Sequence, residues 1–325
     1  MGPMMKKPTV KFEDGKYVLN KYQSFYVDED AVEQDLLREI KFPVLIMDTE
    51  FFNRSHDPKP NDSGKKLYSD DEPSMIYTLC YSIANSYMDL ANRKNKKSIS
   101  TLYVRRKMNK ADFNFKKEMD RMLTTFVNIC IAKNIRTLVF AGESNDVKIL
   151  TNWINNHSNL LNNKKQELFT RNKQTRQLEI NTFDIYKTLE KGFSFSDFTT
   201  EGEEFYNPKN LKKGIMGENT IQIPSLKLFF DYFKEYYKDK FEEKNGIYEL
   251  CKDALTFYST DSFASEKQFQ EGIEVIREVR KHCRNDVLKL LYLINFMYVF
   301  GVLSNDQAKE SGNNKNYEKI LHWVW

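Results

Sequence analysis

Residues Pro43-Val-Leu-Ile-Met-Asp-Thr-Glu-Phe-Phe52 decide the reading of this chain. Four apolar residues lead into Asp48 and Glu50, and two phenylalanines follow. Val44 to Phe52 therefore reads as a buried strand near the middle of a sheet. Side chains alternate along a strand, so Asp48 and Glu50 share one face. An ionised carboxylate in apolar surroundings is costly unless paired or metal-bound. Two carboxylates at this spacing can bridge hard cations through oxygen ligands. The end of a central strand is also where ligands gather in open α/β sheets. The plain alternative is a strand end that projects two acids into solvent.

Two further stretches repeat the pattern. Asp146 follows the apolar run Leu138-Val-Phe-Ala through a glycine turn and stands near a helix start, where Ser144, Asn145 or Asp146 would serve as a cap. Glu143 is a second acid of the same turn. His282 and Asp286 stand four apart in His282-Cys-Arg-Asn-Asp-Val-Leu-Lys-Leu-Leu291, hence on one face of a helix that continues into core positions. A surface ion pair between them is the plain alternative. Taken together, four acids and a histidine suggest a two-metal site for cutting phosphodiesters. His282 would take the proton of the attacking water, because its ordinary pKa lies near neutrality.

The surrounding pattern supplies a scaffold. Thr9 to Leu19 reads as a hairpin turning at Asp14-Gly15. Asp28 to Ile40 has helical spacing with acids in its first turn. These make residues 1–41 an N-terminal extension packed on the main domain. Ser74 to Ala84 and Ser98 to Arg106 complete a three-stranded meander with Val44 to Phe52. The polar stretch Asn53 to Pro73 is a loop. Asp112 to Lys133 is a helix, Thr137 to Ala141 a strand, and Val147 to Trp153 the opening of a helix. Leu178 to Asp184 is a fifth strand, Ser225 to Phe233 a helix, and the last long helix runs from about Val275 or Lys281 to Phe300. This order predicts an α/β fold with a mixed sheet flanked by helices over 42–303, and a C-terminal tail over 304–325. Gly192 to Asn219 reads as a long Gly-, Lys- and Glu-rich insertion.

The chain has 325 residues, 40% of them hydrophobic, enough for a real core. Its net charge of +4 is too small to argue for nucleic acid by itself, so the distribution of charge must. Basic clusters fall at Arg93 to Lys97, Arg105 to Lys110, Lys164 to Arg176 and Lys209 to Lys213. Phe51, Phe52, Phe193, Phe195, Phe198 and Tyr206 lie near the acids or in the insertion, and basic grooves with aromatics hold single strands. Solvated lysine loops and core phenylalanines are the bland counterpart. Cys80, Cys130, Cys251 and Cys283 form no CxxC pair, so a disulfide framework or zinc knuckle is not expected and the reducing cytoplasm is. The apolar stretch Leu290 to Leu303 is short for a membrane span and carries Asn295. P-loop and dinucleotide fingerprints are absent.

The ordered set Asp48-Thr-Glu50, then Gly142-x-x-x-Asp146, then His282-Cys-Arg-Asn-Asp286 resembles the DEDD superfamily of 3′–5′ exonucleases, which share a ribonuclease H-like fold. Ile180-Asn-Thr-Phe-Asp-Ile-Tyr-Lys-Thr-Leu189 and Pro224-Ser-Leu-Lys-Leu-Phe-Phe230 are similar to accessory stretches of that family. The resemblance spans roughly Phe42 to Phe300. It implies Asp48, Glu50, Asp146 and Asp286 as ligands of two Mg²⁺ or Mn²⁺ ions, and single-stranded DNA or RNA with a free 3′ end as substrate. His282 has the residue of the histidine subclass at the spacing usual for the tyrosine subclass. Two other readings stay open. One is a non-catalytic nucleic-acid-binding or scaffolding protein on the same fold. The other is an interaction module that docks a partner through Gly192 to Asn219.

Overall fold

A computed structural model describes residues 10–56, 67–68, 72–108, 113–142, 145–161, 167–198, 201–204, 212–237, 240–241, 246–304 and 324. Its centre is a five-stranded sheet. The strands are β4 (Val44–Phe52), β5 (Met75–Ala84), β6 (Ser100–Tyr103), β7 (Thr137–Phe140) and β10 (Thr182–Asp184), in the spatial order β10-β7-β4-β5-β6. β4, β5 and β6 form the expected antiparallel meander. β7 and β10 join the other edge in parallel. The α/β class with a mixed sheet and flanking helices is thus what the chain adopts.

Alternation along β4 sorts its residues between two cores. Val44 and Ile46 face α9 (Glu266–Tyr298), together with α5 (Ile185–Gly192) and α6 (Leu226–Tyr232). Leu45 and Met47 face α3 (Phe115–Ala132), α4 (Asn145–Asn156) and α8 (Ile247–Ser259). Asp48 and Glu50 continue the first set, so they point to the side of α9. α9 is longer than the sequence pattern indicated, and one further π-helical turn, Val299–Leu303, extends it. By length and composition Glu266–Leu303 is apolar enough to cross a membrane, but 78% of its apolar window is buried inside the protein, as in a core helix.

The N-terminal segment is woven into a second sheet. β1 (Lys11–Glu13) and β2 (Lys16–Val18) make the hairpin, with Asp14 and Gly15 at positive φ as a two-residue primed turn needs. β3 (Ser24–Val27) then pairs with β11 (Phe193–Ser196), and β11 with β12 (Thr220–Ile221). Gly192 to Asn219 is therefore not an irregular insertion throughout, because its first residues are a sheet strand. α1 (Glu29–Glu33) is capped by Asp28 and runs into a π-helix, Gln34–Glu39. Its Val32 lies so close to Gly192 and Gly301 that a Cβ on either would overlap it.

Leu178 to Asp184 also differs from its one-strand reading. It breaks at Asn181 into β9 (Leu178–Ile180), which pairs with β8 (Phe169–Arg171), and β10. At the break the Asn181 N–H donates to the Leu168 carbonyl on the β8 side and its carbonyl accepts from the Leu138 N–H of β7, while its side-chain amide adds a bond to the Arg136 carbonyl at 2.6 Å. Short helices α2 (Tyr87–Asn92) and α7 (Lys234–Tyr237) complete the described α-helices. Most of the C-terminal tail, 304–325, lies outside the described residues. Val324 is described, buried, and accepts from the Tyr237 hydroxyl at 3.2 Å.

Phe25 anchors the second sheet to α9. It is fully buried against Tyr17, Phe193, Phe195, Phe296 and Phe300. Phe25→Ala should cost about 3–5 kcal/mol in urea unfolding, the usual loss for a buried phenylalanine. A loss under about 1 kcal/mol would mean that residues 10–27 are a detachable arm.

Candidate metal centre

The site forms where β4 outruns its neighbour. β7 pairs only with Val44, Leu45 and Ile46, so the β4 edge is open on that side from Met47 onward. The first turn of α4 enters there and brings Asp146, which accepts a hydrogen bond from the Thr49 hydroxyl. On the other side, the β4–β5 register shifts after Glu50. Glu50 pairs with Thr78 and Phe51 with Ile76, so Tyr77 is the extra residue of a bulge. The bulge ends the regular ladder just where the acids project.

α9 supplies the roof. Val279, His282, Cys283, Asp286, Val287 and Leu290 recur at three- and four-residue spacing and form one stripe. Cys283 lies at the centre of the stripe, and its thiol donates to the Asp48 carbonyl at 3.3 Å. That contact lays α9 directly over β4. His282 Nδ1 then lies 3.4 Å from Glu50 Oε1 and 3.6 Å from Asp286 Oδ2. These distances suit a charge contact better than a well-aligned hydrogen bond. The side chains of His282, Glu50 and Asp286 are 18%, 12% and 24% exposed, so they line a recess rather than form a surface ion pair.

The electrostatics show how tightly the carboxylates crowd. Burial, then the nearby Glu50, Asp286 and Asp146 carboxylates, push Asp48 well above the usual carboxylate range. Burial raises Glu50 to about 7, although His282 pulls it down. Asp286 and Asp146 push Glu50 up further. At one end of the central strand Asp48 and Glu50 thus stand together, Asp286 faces Glu50 across His282, and Asp146 lies within electrostatic reach of both strand acids. Glu143 lies outside the described residues.

Several neighbours went unread in the sequence. Lys289 is buried and donates to Asp286 at 3.0 Å, so that acid has a basic partner one turn along its own helix. Cys251 of α8 lies 3.9 Å from Glu50 Oε2 and accepts from the Tyr77 hydroxyl at 3.1 Å. Burial, and next Glu50, raise the Cys251 thiol to about 12. Tyr186 of α5 is raised by burial, and among its neighbours Asp286 and Asp48 add to the shift. Lys289 was legible at i+3 from Asp286. Cys251 and Tyr186 arrive through long-range packing.

The expected base-stacking aromatics fare differently. Phe52 stacks on Tyr77 at 4.1 Å, and Phe193 and Phe195 are fully buried in the second sheet, so these three are core. Phe51 is half-buried, Phe198 is 40% exposed, and Tyr206 lies outside the described residues. Cations instead follow α9 away from Asp286. A cleft of about 380 Å³ has Lys227, Lys234 and Lys289 on its walls beside Tyr237 and Phe241. Lys94, from the Arg93 to Lys97 cluster, and Lys240 lie over the Tyr292 ring at 5.0 and 5.7 Å.

The raised carboxyls have a consequence for the metal-free protein. Glu50 ionises near 4.5 when unfolded and near 7 when folded, so between these values the folded state holds the extra proton. Stability in chelator should therefore fall as pH rises through that window, by about 1.4 kcal/mol per unit for one such group. Asp48 acts in the same direction. Urea melts at pH 5 and 7.5 should show the loss, and Glu50→Gln should flatten it. An unchanged slope in Glu50→Gln would assign the effect elsewhere.

No protein-family model, curated protein or solved structure matches this chain.

Proposed function

We propose that this chain is a metal-dependent 3′–5′ exonuclease that hydrolyses single-stranded DNA or RNA on a ribonuclease H-like fold. The observation that carries the reading is the meeting of Asp48, Glu50, Asp146 and Asp286 with His282 at the end of the central strand. These residues come from β4, α4 and α9, and nothing in local sequence requires them to meet. An antiparallel meander continued by two parallel strands supports the ribonuclease H-like assignment.

The residues fit divalent cations. Four carboxylates offer the hard oxygen donors that Mg²⁺ and Mn²⁺ prefer. Their crowding raises Asp48 and Glu50, a cost that positive charge would offset. Two such ions would supply charge stabilisation to the attacked phosphate, to the attacking water and to the leaving 3′ oxygen. The chain's own groups do the rest. Thr49 orients Asp146, and Lys289 orients Asp286. With Nδ1 of His282 beside two carboxylates, Nε2 is the ring nitrogen that takes the water's proton. Lys227, Lys234 and Lys289 draw the phosphate backbone toward the acids. Four free, buried cysteines suit a reducing cytoplasm.

The direct test is a 5′-end-labelled oligonucleotide incubated with Mg²⁺ or Mn²⁺ and with EDTA. A ladder of shortening products that needs metal is expected, and a 3′-phosphate should slow it. One internal cut would mean an endonuclease. Salt-sensitive binding without cleavage would leave a non-catalytic nucleic-acid-binding protein.

A further inference from the structure

Asp48, Glu50 and Cys283 each direct one potential ligand atom to a common point, with all three atoms within 4.8 Å of one another. One zinc-sized ion bonds sulfur at about 2.3 Å and carboxylate oxygen at about 2.0–2.2 Å. In tetrahedral geometry its ligand atoms stand about 3.3–3.7 Å apart, so side-chain adjustments of up to about 1 Å close this set. A second observation lies beneath it. Thr78 is the cross-strand partner of Glu50 and shares its sheet face. Its hydroxyl is fully buried and has no hydrogen-bond partner among the described residues. A bound group over Asp48 and Glu50 would give that hydroxyl the partner it lacks. Sheet floor and helix roof thus both present donors to one point.

We infer that one metal position of this centre is a mixed oxygen–sulfur site, built from Asp48, Glu50 and Cys283, that takes a thiophilic divalent cation such as Zn²⁺ or Co²⁺ in preference to Mg²⁺. The inference rests on the reading of Asp48 and Glu50 as metal ligands. Thiolate favours Zn²⁺ and Co²⁺, whereas Mg²⁺ favours oxygen alone. On binding, the metal–sulfur bond replaces the S–H bond, and the thiol proton passes to solvent. The Cys283 hydrogen bond to the Asp48 carbonyl is given up in the same step. Two rival thiols lie nearby, Cys251 beside Glu50 from the α8 side and Cys80 opposite Asp48 on β5 and next to Cys283.

The test is Co²⁺ titration of the reduced, chelator-treated full chain, read by near-ultraviolet absorbance. A thiolate-to-cobalt charge-transfer band is expected in the wild type. It should be lost in Cys283→Ser and in Cys283→Ala, kept in Cys251→Ser and in Cys80→Ser, and weakened in Asp48→Asn. Competition should show Zn²⁺ affinity falling by more than about 100-fold in Cys283→Ser, beyond the roughly 10–100-fold that outer partners of a metal usually contribute, with Mg²⁺ affinity nearly unchanged. Far-ultraviolet dichroism checks the fold, and the alanine variant suits the apolar surroundings should serine unfold the chain. A band lost in Cys251→Ser or in Cys80→Ser but kept in Cys283→Ser overturns the assignment. Mn²⁺ binding by calorimetry without any cobalt–thiolate band overturns the mixed site but leaves the exonuclease reading standing. No binding of Mn²⁺ or Co²⁺ at all overturns both.

Discussion

Changing Asp48 to asparagine is expected to lower metal-dependent cleavage by more than about 100-fold, because direct ligands exceed the roughly 10–100-fold contributed by groups that merely orient them. Glu50→Gln, Asp146→Asn and Asp286→Asn should each lose comparable activity. Asp48→Asn should also melt at a higher temperature than the wild type in EDTA. The reason is that burial and three neighbouring carboxylates oppose ionisation of Asp48, and an amide of the same shape removes that cost. Saturating Mg²⁺ or Mn²⁺ should narrow or reverse the difference, since it stabilises the wild type by mass action. Loss of activity with gain of metal-free stability separates a functional acid from a structural one. If two of the four variants keep near wild-type rates, the chemistry lies elsewhere.

Replacing His282 with alanine should lower kcat by about 10²–10⁴-fold while KM changes little, the usual contribution of a general base. The structure gives His282 its place, since its Nδ1 is held near Glu50 and Asp286. The wild-type rate should rise with pH and then level off, and the rise should weaken in the variant. His282→Tyr should keep more activity than His282→Ala, because tyrosine occupies this offset in the subclass whose spacing the chain resembles. One rate and one pH profile for all three proteins would make His282 structural and leave water activation to other groups.

The legible parts of the fold are those written in local pattern. β4 matches its nine-residue run because an apolar stretch flanked by Pro43 and Asn53 admits one reading. The hairpin follows from Asp14-Gly15, whose positive φ values are what the turn requires. The helix read over Ser225 to Phe233 is α6, with Ser225 as its cap. The departures come from long-range packing. β3 pairs with β11 across more than 160 residues, and no local signal reveals a partner that distant. α8 went unread although Leu250, Cys251, Ala254, Leu255 and Tyr258 carry helical periodicity and are buried. The break at Asn181 splits the stretch Leu178 to Asp184 into halves that join different sheets. The four acids could be listed from sequence because each stands beside an apolar segment. That Cys283 and Cys251 join them could not, since a helix laid across a strand fixes which thiols come near.

The central claim is that Asp48, Glu50, Asp146 and Asp286 hold divalent cations. Calorimetric titration of Mn²⁺ into the reduced, chelator-treated full chain, beside Asp48→Asn and Asp146→Asn, tests it most directly. The account expects two Mn²⁺ per chain in the wild type, with at least one lost in each variant while the fold persists. No measurable binding to the wild type, or equal binding to all three proteins, would contradict it.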